Sequence, residues 1–143
     1  SILMWSHYAA NHTGMALQFE IARHPKFFVP AVTVKYSRDY PIRNWVDDSH
    51  KDLEKGLYGK YEDWSYESER RIIHADFANN HLPYKPLSLT GVILGCCFTE
   101  FEWLKTILAK RGEKHGGLPL KVYRANQSDS QYRLKIIEDL SFR

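Results

Sequence analysis

At 143 residues with 43% hydrophobic and 14% aromatic side chains, the chain is long enough for one domain with a proper core. Its 20 basic and 17 acidic residues give a formal charge of +3 scattered along the sequence, which excludes the basic stripe of a dedicated nucleic-acid binder. No apolar run approaches the roughly 18 residues of a membrane span, and the first residues lack a signal-peptide pattern, so a cytoplasmic protein with no membrane partner is expected.

In chain order, Leu3 to Asn11 predicts two or three helical turns with Gly14 as a stop signal, and Met15 to Ile21 then alternates like a strand. Ala31 to Tyr36, β-branched and set between Pro30 and Pro41, predicts a second strand. Polar sequence with spaced leucines from Asp48 to Lys60 predicts a solvated helix. "SERRIIHADF" predicts another strand, and "LSLTGVILGCCF" is the continuous apolar run of a central, doubly covered one. Cys96 and Cys97 close that run as neighbours, a spacing that suits neither a structural disulfide nor a metal site and fits a reducing setting. "TEFEWLKTILAKRGEK" predicts a helix with Phe101, Leu104, Ile107 and Leu108 on one stripe, Thr99 as cap and Gly112 at its end. Two strands, "LPLKVYRA" and "YRLKIIEDL", follow around the polar "NQSDSQ". The sum is an α+β fold: a single compact domain over residues 1–143, with a mixed, mainly antiparallel sheet and one or two covering helices.

Two stretches carry chemistry. In "LMWSHYAANHTG", His7 and His12 are five positions apart and point about 140° apart on a helix, so they cannot share one metal. Trp5, Tyr8 and His12 share a face at i, i+3, i+7 spacing, while Ser6 and His7 look elsewhere. Either one face packs and the other works, or Trp5 and Tyr8 anchor the core and His12 caps the helix end.

The second stretch, Lys60 to Phe77, gathers Lys60, Trp64, Tyr66, Glu67, Glu69 and Arg71. In an extended chain Glu67, Glu69 and Arg71 fall on the face of Ile73, Ala75 and Phe77, where desolvation and mutual repulsion raise the carboxyl pKa values unless Arg71 or Lys60 neutralises them. In a helix, Glu67 and Arg71 would instead be an ordinary surface ion pair. The β-branched residues after Arg71 tilt the expectation to a strand. No metal-ligand spacing and no phosphate-cradling glycine loop is present.

These motifs, Trp5-Ser6-His7-Tyr8-Ala9 with His12 and Gly14, then Lys60, Trp64, Tyr66, Glu67, Glu69 and Arg71, resemble the prokaryotic domain of unknown function 2971 family, with "VILG" ending at Gly95 as a weaker match. Members of that family usually carry an N-terminal part with an Asn-Asp-Pro-Phe type motif, so the resemblance implies the C-terminal portion of a longer protein. A sporadic prokaryotic family fits a role in phage defence.

Three functions follow as expectations. Glu67 and Glu69 are similar to the Glu-x-Glu pair of many ADP-ribosyltransferases. With NAD as substrate, Glu69 would stabilise the oxocarbenium-like charge and Glu67 would orient the acceptor. Tyr8 or Trp64 would stack on nicotinamide, Arg71 or Lys60 would hold the diphosphate, and His7 would contact ribose hydroxyls. Ser6 and His12 complete the expected substrate-binding set, with His7, Glu67 and Glu69 as the catalytic one. The alternative is a non-catalytic module recognising a nucleotide or protein, in which the two motifs form a buried polar network. The third is a metal-independent nuclease with His7 as acid or base. The opening stretch and "WSYESERR" are expected to line one polar cleft.

Overall fold

The computed structural model describes residues 1–40, 55–74, 80–117 and 120–142. It divides into two compact units, Ser1–Pro25 with Pro83–Arg143, and Lys26–Leu82. The elements are mixed α and β, and the largest sheet is mainly antiparallel, so the fold is α+β.

The first unit opens with helix α1 (Ile2–Tyr8), shorter than the predicted Leu3 to Asn11. Strand β1 (Met15–Phe19) follows where the alternation predicts it. The apolar run supplies a strand at Leu89–Leu94, which we number β6 in chain order; β2 to β5 belong to the second unit. It sits inside a four-stranded sheet ordered β1-β6-β7-β8, with β7 at Lys121–Gln127 and β8 at Leu134–Glu138. β1 pairs antiparallel with β6, Met15 opposite Leu94 and Leu17 opposite Val92, and the register slips between Gln18 and Phe19. β7 and β8 are likewise antiparallel, whereas β6 and β7 run parallel. A parallel pair needs a long crossover, and the helix at Phe101–Lys114 (α3 in chain order) supplies it.

That helix buries Leu104 against Val92, Leu94, Phe98 and Val122, with Phe101 and Leu108 packed on the same cluster. Ile107, predicted on the stripe, is 42% exposed. Two further expectations fail. Glu100, not Thr99, is the N-cap, and no side chain bonds there; Thr99 contributes only its carbonyl, to the Phe101 amide at 2.9 Å. Gly112 lies inside the helix, which runs on to Lys114; the left-handed conformation that favours a glycine stop appears only at Gly116 and Gly117, both at positive φ. At the sheet's other end Asp139 accepts from Ser141 Oγ at 2.6 Å and from Arg124 Nη2 at 2.9 Å, and the Arg124 guanidinium lies 4.7 Å above the Phe101 ring.

Between the halves of the first unit the chain makes one short helix, α2 (Pro25–Phe28), and enters the second unit. The predicted strand Ala31 to Tyr36 is split in two there: β2 (Val32–Thr33) pairs antiparallel with β5 (Arg70–Arg71), and β3 (Lys35–Ser37) pairs parallel with β4 (Gly59–Tyr61). Val34, between them, is 3% exposed and is the pivot on which the strand changes partner. The predicted helix Asp48 to Lys60 lies largely outside the described residues; within them, residues 55–58 are helical and Lys60 belongs to β4. Glu62–Glu67 forms a 3-10 turn rather than the start of a strand.

Candidate functional site

The two motifs fall one in each unit. In the first, α1 carries Ser6, His7 and Tyr8, and a reversal built from Ala10, Asn11 and His12 at φ 45°, 52° and 68° follows it. Three consecutive left-handed residues other than glycine each cost on the order of 1 kcal/mol or more, so the surroundings must hold them. They do: the Asn11 and His12 amides donate to the Ser6 and Trp5 carbonyls at 3.2 Å each, Gly14 N donates to Ala9 O at 2.8 Å, and Thr13 Oγ1 donates to Ala10 O at 2.7 Å. Ser6 Oγ reaches Asn11 Oδ1 at 3.3 Å.

The turn is fastened to the end of β6. Cys97 N donates to His12 O and Gly95 N to Gly14 O, both at 3.0 Å. A Cβ on Gly95 would stand 2.0 Å from His12 O, so only glycine admits this approach. His12, Gly14 and "VILG" are therefore parts of one local construction.

Because α1 stops at Tyr8, His12 is not on the helix, and the expected shared face of Trp5, Tyr8 and His12 does not form. Trp5 is half-buried; Tyr8 is 61% exposed and no core anchor, its ring meeting the exposed His7 edge-on at 6.5 Å. His12 Nδ1 is buried with no hydrogen-bond partner among the described residues, as is Ser128 Oγ. Both residues line a cavity of about 510 Å³, together with Ile2, Gln127, Asp129 and Arg133.

In the second unit the predicted cluster does assemble, by another route than an extended strand. The 3-10 turn ends at Glu67, Ser68 turns left-handed at φ 48°, and Glu69 leads into β5. Lys60, on β4, ion-pairs with Glu67 and reaches Glu69 Oε2 at 3.2 Å. Arg71 grips Glu69 with two nitrogens, Nε to Oε1 at 2.5 Å and Nη2 to Oε2 at 3.0 Å, and its Nη1 donates to Leu57 O at 2.6 Å. Lys60 Nζ also lies 5.1 Å from the Trp64 ring, which tilts against Tyr66 at 6.1 Å. The Glu67 side chain is only 3% exposed, Lys60 19% and Glu69 28%.

Of the two electrostatic outcomes open to the sequence, Glu69 takes neutralisation by cations. The Arg71 hydrogen bonds hold its carboxyl below the ordinary 4.5 despite burial, and Lys60 adds to the effect. Glu69 in turn pushes the Arg71 pKa above its usual value. The expected company of apolar residues does not extend along this face: Ile73 is exposed, and Ala75 and Phe77 lie outside the described residues.

A group whose folded pKa is depressed adds stability that is complete above its unfolded pKa and lost as pH falls through the folded one. Urea midpoints taken from about pH 7 down to about pH 3 should therefore drop on the acid side of 4.5. In Glu69→Gln that part of the drop should vanish.

One network member gave no sequence signal: Tyr36, whose hydroxyl accepts the Glu69 amide at 2.8 Å. Its partner is too distant in sequence for any periodicity to join them. Among the described residues no group of three metal-ligating side chains occurs, and no helix is long and apolar enough to cross a membrane.

A family model described as protein of unknown function (DUF2971) matches residues 4–72, the segment that holds both motifs. No curated protein and no solved structure matches the chain. Over that segment, just under half of the chain, the sequence is similar to the DUF2971 family of proteins of unknown function.

Proposed function

We propose that this chain is a non-catalytic recognition module for a nucleotide. The observation that carries the reading is the state of the Glu-x-Glu pair. Glu67 is nearly sealed and ion-paired with Lys60, and both oxygens of Glu69 already accept hydrogen bonds from Arg71 or Lys60. Carboxylates so engaged serve to hold β4, the 3-10 turn and β5 together rather than to meet a substrate. The cations that would grip a diphosphate are spent on the same bonds. Aromatic surface for a base is available elsewhere, on the exposed Tyr8 beside His7.

An ADP-ribosyltransferase-like enzyme is the second reading, favoured by one fact: Glu69 keeps 28% exposure and is held ionised, as a residue stabilising positive charge must be.

Nicotinamide release from NAD by the full-length protein and its Glu69→Gln variant separates the two. The recognition reading expects no release above the blank from either protein, together with a nucleotide-induced rise in melting temperature that Tyr8→Ala abolishes. Release by the wild type that disappears in a folded Glu69→Gln variant would replace it with the enzyme.

A further inference from the structure

The chain has two cysteines, Cys96 and Cys97, placed where β6 ends and the His12 turn is fastened. Their sulfurs are 3.9 Å apart, both are thiols, and Cys97 is exposed while Cys96 is half-buried. We propose that this pair is a redox modification site, oxidised reversibly to a disulfide by a low-molecular-weight disulfide such as glutathione disulfide, and that closing the bond resets the His12 turn.

The chemistry balances with that one oxidant. The exposed Cys97, as thiolate, attacks one sulfur of the small disulfide and expels the first thiolate. Cys96 then loses its proton and attacks the Cys97 Sγ of the mixed disulfide, expelling the second. Two S–H bonds and the oxidant's S–S bond are broken; one protein S–S bond is formed. Both electrons and both protons end on the two released small thiols. Burial beside Cys97 raises the Cys96 pKa, which suits Cys96 to the second, intramolecular step, where proximity replaces thiolate abundance.

The bond should be labile and not a staple. Adjacent Cα atoms across a trans peptide are held about 3.8 Å apart, below the usual disulfide range of about 4.4 to 6.8 Å, and strained or exposed disulfides are the easily reduced ones. Bringing the sulfurs together to about 2 Å must rotate the one peptide unit between them. The N–H of that unit is the Cys97 amide, donated to His12 O at 3.0 Å. Gly95 leaves no slack on that side, since even a Cβ would overlap the same carbonyl. Rotation therefore takes the donor from the left-handed turn that carries His12.

Within these 143 residues any intrachain disulfide must be this one, so the test uses the unmodified 143-residue chain, with peptide mapping to place the bond. It is equilibrated with glutathione and glutathione disulfide at stepped ratios, and intact mass, alkylation and amide exchange are read. The expected result is a monomer lighter by two hydrogen atoms, with both thiols protected from alkylation, restored by dithiothreitol. In it the Cys97 amide should exchange about tenfold faster while β7 amides keep their protection. Cys96→Ser should stop at the mixed disulfide on Cys97. A wild type that stops there too, or resists oxidation at every ratio, overturns the site. A disulfide that leaves the Cys97 amide exchange unchanged overturns the coupling to His12.

Discussion

Replacing Lys60 by methionine is expected to lower the unfolding free energy by about 3 kcal/mol, near the low end for removing one partner of a buried ion pair. Lys60 is the cation shared by Glu67 and Glu69, and the Glu67 side chain it serves is only 3% exposed. Without the ammonium that carboxylate must ionise in a poorly solvated place or take up a proton. Arg71 does not relieve it, because its fork is committed to Glu69 and its remaining contact to Leu57 O. The double variant Lys60→Met with Glu67→Gln should recover part of the loss, since no net charge is then left behind. Urea unfolding of both variants measures it. Lys105→Met, which removes an exposed i,i+3 pair with Glu102, should change stability by less than about 0.5 kcal/mol. Equal losses for Lys60→Met and Lys105→Met would show that the second unit does not depend on its network.

Leu94→Ala should cost about 3 to 4 kcal/mol, within the range for a fully buried leucine. Leu94 is 0% exposed, lies opposite Met15 on β1, and packs with Val92, Phe98, Leu104 and Val122. It ends the central strand, so strands and helix press on it from several sides and leave little room for collapse. Ile137 on β8, 52% exposed, provides the contrast and should lose less than about 1 kcal/mol as alanine. Two compact units need not unfold together, so amide exchange in β6 and β7 is the sharper readout. Exchange there should accelerate in Leu94→Ala and stay close to wild type in Ile137→Ala.

What could be read from the sequence was whatever a single element writes in its own periodicity. The alternation of Met15 to Ile21, the apolar run "LSLTGVILGCCF" and the helical stripe of Phe101, Leu104, Ile107 and Leu108 each hold the element they predict, although the first strand ends at Phe19 and Ile107 stays exposed. Reading failed where a neighbour distant in sequence decides. Ala31 to Tyr36 reads as one strand, but Arg70 and Arg71 pair with Val32 and Thr33 while Gly59 to Tyr61 pair with Lys35 to Ser37. The β-branched residues after Arg71 drew Glu67 and Glu69 into an expected strand, whereas the chain reaches the same convergence through a 3-10 turn and a left-handed Ser68. His12 was misplaced for a local reason: nothing in "AANH" announces three successive left-handed residues, and the bonds that hold them include one from Cys97. The charge pattern at Lys60, Glu67, Glu69 and Arg71 was legible as a cluster, but the choice between activated and neutralised carboxylates depended on distances that spacing does not carry.

The pairing of β1 with β6 also sets a timetable. Phe19 lies opposite Leu89 and Met15 opposite Leu94, and all of Lys26–Leu82 is threaded inside that closure. Loop entropy grows only slowly with length, so the insertion weighs little on equilibrium stability. Synthesis is different: at roughly 5 to 20 residues per second, β1 leaves the ribosome about 4 to 15 s before its partner strand is complete. For that interval Met15, Leu17 and Phe19 have no β6 to pair with. The length of the inserted segment is thus a clock, and shortening it would narrow the window in which the nascent chain can aggregate.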